Sequence, residues 1–262
     1  MMQSMLDAMM TRYPMFIAMG FMIVIAALII GANNAGNASE YYAFDKAVRD
    51  AAGRDSELAL LKVGVERIGV WLPPFKFLGL GMILGGITMA LGVIIKNLVG
   101  AGEKVMAEFP EDLRLPPQPK PLTARMFPMI MMMGMVILFV ALFVSLWLQG
   151  VAADYWNHAI ATELNPAASR SDLAEKLATI QGNEAWLTPF KFLGLAFLFT
   201  GITLALVTII RALTLQGETL GRVLPEMQQR ATVTKTQKTK ASKKPEAKTE
   251  VETKAENRKG GE

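Results

Sequence analysis

Four long stretches of this chain contain no charged side chain. They cover residues 13–39, 77–95, 126–153 and 192–210, although the chain carries 27 basic and 23 acidic residues in total. A helix crosses the roughly 30 Å hydrocarbon core of a bilayer with about 20 apolar residues. The sequence therefore predicts an all-α integral membrane protein with four transmembrane helices, and it excludes an ordinary water-soluble fold.

The four spans are expected at about residues 15–31, 77–95, 126–150 and 192–210. The first span follows Arg12 and precedes Ala32, Ala35 and Ala38, which is also the pattern of a cleaved signal peptide. The third span is an internal counterpart of the first, as shown next, and a signal peptidase does not remove internal segments. We therefore expect the first span to be retained.

The chain contains a tandem repeat. The segment WLPPFKFLGLGMILGGITMALGVIIKNL, which starts at Trp71, matches WLTPFKFLGLAFLFTGITLALVTIIRAL, which starts at Trp186, with 17 identities in 28 positions. This offset is 115, and the first and third spans align at an offset of 114, for example through Gly20 and Gly134. Each copy is a span, a loop and a span, so both copies cross the membrane in the same direction. The sequence predicts a parallel repeat of two helical hairpins related by a pseudo-two-fold axis along the membrane normal. The hairpins form a four-helix bundle, or a looser pair that needs partners to complete its packing.

The repeat divides the chain into four parts. Residues 1–112 form the first membrane hairpin, 113–125 a proline-rich cytoplasmic linker, 126–230 the second hairpin and 231–262 a lysine-rich tail. The tail has no aromatic residue and almost no aliphatic one, so we expect it to be disordered. Lysine and arginine are concentrated on the side that holds both termini and the linker, which predicts that this side is cytoplasmic. The expected location is the inner (plasma) membrane.

Small residues recur at helical spacing in the second and fourth spans. Glycines one heptad apart are followed four residues later by alanine in both copies, and the second span adds a Gly-x-x-x-Gly pair. Small side chains let another helix approach closely. The predicted helix-packing residues are Gly79, Gly81, Gly85, Gly86, Ala90, Gly194, Gly201 and Ala205.

A repeated Trp-Leu-x-Pro-Phe-Lys-Phe motif lies where each external loop enters the membrane. Tryptophan suits the headgroup layer, proline suits the first turn of a helix, and a lysine stem can follow the helix while its ammonium reaches water. The favoured interpretation is an interface anchor formed by Trp71, Lys76, Trp186 and Lys191. The alternative is that the two lysines bind lipid headgroups or another anionic ligand.

The external loops contain amphipathic segments at residues 56–68 and 171–180, with apolar side chains near helical spacing. Ser56 is the expected N-cap of the first segment. Helices lying on the membrane or against each other are the natural interpretation.

The residues that would support catalysis or metal chemistry are sparse. The chain has no cysteine and a single histidine, His158, which shares a possible helical face with Asp154 but has no third ligand. Thioethers are soft ligands for Cu(I), but packing is the favoured role of the methionines at 129, 131, 132, 133 and 135. No metal site, cofactor or catalytic residue is predicted.

The spans also lack the ionisable groups that ion pathways usually need, and their polar side chains are chiefly Thr88, Ser145, Thr200, Thr203 and Thr208.

The leading hypothesis is a non-enzymatic structural, accessory or assembly subunit of a larger membrane complex. Its expected partners are the lipid bilayer and other membrane subunits or further copies of itself, and no nucleic acid. The alternative is a small transporter or channel with a path along the pseudo-two-fold axis. A sensor or surface organiser acting through the loops and tail is a third class.

Overall fold

The computed structural model describes residues 12–109, 111, 122–157 and 172–242. This part of the chain contains five α-helices: α1 (Tyr13–Ala43), α2 (Lys46–Asp50), α3 (Glu57–Glu108), α4 (Leu122–Trp156) and α5 (Asp172–Ser242). Helices α1, α3, α4 and α5 are long and apolar enough to cross a membrane. The prediction of a nearly all-helical, multi-pass membrane protein with four candidate spans is confirmed.

The described part forms two compact units. The membrane unit contains the four spans, and it takes α3 as far as Val99 and α5 as far as Ile210. The second unit contains the continuation of α3 from Gly100 and of α5 from Arg211. Within this second unit, a Cβ added at Gly102 would lie 3.0 Å from Nε2 of Gln216, so the two helices are in contact there.

Two clusters of buried apolar side chains form the core of the membrane unit. The larger cluster joins α3, α4 and α5 and contains Leu138 and Leu198, both fully buried. The smaller cluster joins Leu148 and Tyr155 of α4 to Ile180 of α5. It lies toward the loop end of the unit, which is the end where α1 leads into α3 and α4 leads into α5.

Helix α3 is longer than the sequence analysis anticipated. Ser56 is the N-cap as expected, since its Oγ accepts a hydrogen bond from the Ala59 amide at 3.2 Å. The helix then continues without a break through the amphipathic segment into the span. Pro73 and Pro74 consequently lie inside a helix and not in its first turn. The polarity of the side chains changes at the membrane border, but the helical hydrogen bonding of the backbone does not depend on that polarity.

Helix α5 also extends beyond its expected limit. It continues to Ser242, so residues 231–242, which were predicted to be disordered, are helical. The prediction of disorder came from composition, which indicates only whether a segment can bury a hydrophobic core. A segment that continues an existing helix does not have to form a costly first helical turn, so it can be helical without such a core. Residues 243–262 of the predicted tail and most of the 113–125 linker lie outside the described residues.

Candidate helix-packing interface

Each hairpin is closed by a glycine contact between backbones. In the first hairpin a Cβ added at Gly20 of α1 would lie 2.7 Å from the carbonyl oxygen of Gly79 on α3. In the second, a Cβ added at Gly134 of α4 would lie 2.8 Å from the carbonyl oxygen of Gly194 on α5. Real Cβ atoms essentially never lie this close to backbone atoms. Each pair of helices can therefore approach to this distance only because these positions are glycine.

Gly86 and Gly201, the second glycine of each heptad, contact the same neighbouring helices as Gly79 and Gly194 do. A Cβ added at Gly86 would lie 3.2 Å from both the Ile17 amide nitrogen and the Tyr13 carbonyl oxygen of α1. At Gly201 the nearest atoms belong to Met131 and Phe127 of α4, all at 3.6 Å. The alanines that follow are less alike, because Ala205 is fully buried whereas Ala90 is half-buried.

A different face of α3 contacts the second hairpin. Leu138 of α4 occupies the space beside Gly81, with Leu198 of α5 next to it, and Met135 lies 3.5 Å from the Cβ position of Gly85. Nearer the loop end, the rings of Phe77 and Phe192 pack edge to face with centroids 5.2 Å apart. Gly81 and Gly85 therefore serve the contact between hairpins, whereas Gly79 and Gly86 serve the contact within the first hairpin.

The two copies of the anchor motif share one local contact. The ring of Trp71 packs edge to face on Phe75 with centroids 5.5 Å apart, and that of Trp186 packs on Phe190 at 5.3 Å. Trp186 additionally donates a hydrogen bond from Nε1 to Oδ1 of Asn183 at 3.2 Å.

The two lysines of the motif have different surroundings. Lys76 is exposed, whereas Lys191 is only 7% exposed and its Nζ lies 5.6 Å from the centroid of the Phe77 ring. A cation over an aromatic face is attracted by the ring quadrupole. Lys191 therefore takes part in the contact between hairpins, and Lys76 is the copy that is available to a lipid headgroup or another anion.

This difference predicts unequal chemical reactivity. An amine-reactive ester applied to the detergent-solubilised protein is expected to modify Lys76 faster than Lys191, because the ester must reach the amine. Mass spectrometry of the two peptides over time measures both rates in one sample. The flanking Pro-Phe and Phe-Leu-Gly-Leu residues are identical, so local sequence is matched between the two sites. Equal rates would contradict the burial of Lys191.

Several polar contacts join the hairpins at the loop end. Asn157 donates from Nδ2 to Oδ1 of Asp55 at 2.9 Å, and its own Oδ1 accepts the Asp55 amide at 3.2 Å. The ammonium of Lys62 lies 3.9 Å from the centroid of the Trp156 ring. The repeat does not conserve these contacts, because the positions equivalent to Asp55, Lys62 and Asn157 hold Arg170, Leu177 and Ala43.

Lys176 forms an ion pair with Asp154, which follows the third span, and a second one with Asp172 at 2.7 Å. Hydrogen bonds to Asp154 and then to Asp172 raise the pKa of Lys176 above its ordinary value. A lysine whose pKa is raised on folding stabilises the folded state at neutral pH. That contribution is lost only as the pH rises past the ordinary lysine pKa and through the raised one.

We therefore expect Asp154→Asn to lower the pKa of Lys176 toward the ordinary lysine value. The pKa can be followed by NMR of the lysine side chain between pH 9 and 12, on the order of one unit either side of a normal lysine. Asp50→Asn, which removes the separate ion pair with Lys46, is the matched control and is expected to leave Lys176 unchanged. An unaltered Lys176 pKa in Asp154→Asn would disprove the assigned pairing.

The threonines in the spans bond back to their own helices. Thr88, Thr200, Thr203 and Thr208 each donate to the carbonyl oxygen four residues earlier, at 2.8 to 3.0 Å. Ser145 differs, because its hydroxyl is fully buried and has no hydrogen-bond partner among the described residues. Its equivalent in the first hairpin is Gly31.

The methionines considered as Cu(I) ligands face in different directions. Of the methionines in α4, Met131 is buried in the core, whereas Met129, Met132 and Met133 are exposed and Met135 contacts α3. Within the described ranges, no group of three or more His, Cys, Asp or Glu side chains is arranged to hold a metal ion. His158 lies outside the described residues.

The geometry defines a multi-pass membrane protein whose helices pack through glycine contacts. Comparison with protein-family models, with curated proteins and with solved structures finds no match for this chain.

Proposed function

We propose that this protein is a non-enzymatic structural, accessory or assembly subunit of a larger complex in the inner (plasma) membrane. In this proposal both termini are cytoplasmic, as the lysine and arginine distribution favours. The protein supplies two linked hairpins as packing surfaces for neighbouring membrane proteins.

The observation that carries the proposal is the filled contact between the hairpins. Leu138 and Leu198 are fully buried there, and Phe77 packs on Phe192 nearer the loop end. A channel or transporter needs a path lined by polar groups or water, and such a path would run between the repeats. Apolar side chains occupy that position, so the arrangement supports a packing role over the transport alternative.

The matching contacts of the two hairpins support a tandem parallel repeat. The pairs Gly20 with Gly79 and Gly134 with Gly194 are equivalent in sequence and nearly identical in distance. Duplication of one hairpin gives a chain with two copies of each helix-packing surface. Two copies of a surface suit a subunit that holds neighbours together.

Affinity purification from the native membrane in mild detergent, after chemical crosslinking, tests the proposal. We expect mass spectrometry to recover other membrane proteins in constant ratio to this chain. Recovery of this chain alone would overturn the role as a subunit of a larger hetero-complex. Ion or solute flux in vesicles reconstituted with the purified chain would favour the channel instead.

A further inference from the structure

A cleft lies between α3 and α4 at the loop end of the membrane unit. Its volume is about 410 Å³, within the range of roughly 300–1,000 Å³ that ligand pockets have. The residues that line this cleft, here called the Arg67 cleft, are Gly64, Arg67, Ile68 and Trp71 of α3 and Leu146 and Gln149 of α4. The two hairpins therefore form the cleft jointly.

Both helices place the Arg67 cleft at the border of the membrane. Gln149 lies four residues before the end of the charge-free stretch 126–153, which is about 6 Å of helix length. Trp71 begins the anchor motif, and tryptophan is enriched at the headgroup layer of a bilayer. Phospholipid headgroups are therefore next to the cleft, and their hydrocarbon chains begin on its span side.

The lining of the Arg67 cleft is amphipathic. Ile68, Trp71 and Leu146 provide apolar surface, whereas Arg67 and Gln149 provide polar groups. Leu146 is 38% exposed, and Phe143, one helical turn further into the span, is 67% exposed. The apolar surface of the cleft thus continues along α4 into the membrane. A molecule with a polar head and apolar chains matches both parts of this surface, whereas a free inorganic anion matches only the polar part.

Arg67 is the cationic group of the cleft, and Gln149 orients it. Nε of Arg67 donates a hydrogen bond to Oε1 of Gln149 at 3.2 Å. Arg67 has no other hydrogen bond or ion pair with the residues that the structure describes. The N–H groups of its two Nη atoms are therefore available to a ligand. A guanidinium presents these donors in a rigid fork that matches two phosphate oxygens at once.

The charge of the lining favours an anionic lipid over a zwitterionic one. None of the residues that line the cleft carries a carboxylate. The ammonium of a zwitterionic headgroup would lie close to the Arg67 guanidinium and would find no negative partner among these residues. A headgroup whose only charge is its phosphate avoids this repulsion. Hydroxyl groups on such a headgroup can accept a hydrogen bond from Nε2 of Gln149.

The repeat does not supply these polar groups a second time. The position equivalent to Arg67 holds Gly182, and the position equivalent to Gln149 holds Ala35. We therefore expect one such site in each chain and not two.

We propose that the Arg67 cleft binds one anionic phospholipid, with the lipid phosphate on the Arg67 guanidinium and an acyl chain along Leu146 and Phe143. This inference goes beyond the subunit role and does not depend on it. Because the lipid contacts both α3 and α4, its binding stabilises the contact between the hairpins.

Native mass spectrometry of the full-length protein, with lipid added to the detergent solution, tests the proposal. Phosphatidylglycerol is the anionic probe, and phosphatidylcholine with the same acyl chains is the zwitterionic comparison. We expect one phosphatidylglycerol per chain to bind at least about tenfold more tightly than phosphatidylcholine. Inorganic phosphate at the concentration of the lipid is expected not to displace it.

A charge variant assigns the binding to Arg67. Arg67→Gln is expected to weaken phosphatidylglycerol binding at least about tenfold, because it removes charge-assisted hydrogen bonds to the phosphate. Arg54→Gln is the matched control, since it removes the same charge from an exposed residue before α3 that does not line the cleft. It is expected to leave the affinity unchanged.

A steric variant gives a second readout that keeps the charge. Gly64→Leu is expected to weaken binding at least about tenfold, because its side chain occupies the cleft. Gly69→Leu, on the same helix but outside the lining, is the matched control and is expected to have no effect. An added Cβ has nothing within 4 Å at either glycine, and leucine is the better helix former, so both variants are expected to fold.

Three results would overturn the proposal. Equal affinity for the two lipids would reject selection by charge. Equal losses in Arg54→Gln and Arg67→Gln, or unchanged binding in both Arg67→Gln and Gly64→Leu, would place the lipid outside the cleft. Displacement by inorganic phosphate at the concentration of the lipid would show a site for a free anion and not for a phospholipid.

Discussion

Alanine at Gly20 or Gly134 is expected to lower the free energy of unfolding by about 2–3 kcal/mol, the upper range for overpacking a tight contact. The added methyl group would lie 2.7 Å from the carbonyl oxygen of Gly79 in the first case and 2.8 Å from that of Gly194 in the second. Both neighbours are backbone atoms, which cannot move aside as a flexible side chain can. The helices must therefore separate and lose dispersion contacts along their length.

Titration of the detergent-solubilised protein with a denaturing detergent, followed by tryptophan fluorescence, measures this loss. Gly36→Ala and Gly150→Ala are the matched controls, since they lie on the same helices, α1 and α4, and nothing lies within 4 Å of an added Cβ. They are expected to be neutral or stabilising by up to about 1 kcal/mol, because alanine is a better helix former than glycine. Equal losses at Gly20 and Gly36 would refute the close approach of α1 and α3.

Leu138→Ala is expected to destabilise the contact between the hairpins by about 2 kcal/mol. Leu138 is fully buried and fills the space beside Gly81 and Gly194. When the hairpins separate in a membrane or micelle, Leu138 moves into an apolar solvent and not into water. Its truncation to alanine therefore removes little transfer free energy. The cost comes from the cavity and its missing dispersion contacts.

The equivalent substitution in the first hairpin provides the control for this prediction. Val24→Ala removes a side chain that is partly exposed, and it is expected to cost well under about 1 kcal/mol in the isolated chain. Thermal unfolding in detergent, monitored for both variants under the same conditions, compares them. A loss for Val24→Ala as large as that for Leu138→Ala would argue that the hairpins are packed symmetrically.

The four spans could be predicted from the sequence because the cost of a charge in a bilayer acts locally on each residue. The heptad of Gly79 and Gly86 also identifies one packing face of α3 from local sequence, but it does not identify the helix that packs on that face. The lengths of α3 and α5 could not be derived in this way. Hydropathy falls at Lys96 and Arg211, but helical hydrogen bonds continue past both residues.

The contact between the hairpins was also out of reach of sequence reasoning. Lys76 and Lys191 occupy identical motifs, yet only Lys191 is buried. Identical local sequence cannot distinguish two copies that have different neighbours. Phe199 is 55% exposed whereas its equivalent, Leu84, is buried, so equivalent positions of the two copies have different surroundings.

The consecutive prolines of α3 divide that helix into two cooperative parts. Pro73 and Pro74 have no amide hydrogen, so the carbonyls of Gly69 and Val70 have no helical donor four residues later. Local opening spreads along a helix through successive hydrogen bonds, and two missing bonds in series interrupt it. The part before the prolines can therefore unfold and refold while the span stays intact. In α5 the position equivalent to Pro73 is Thr188, which keeps its amide, so the second hairpin resists this separation more strongly.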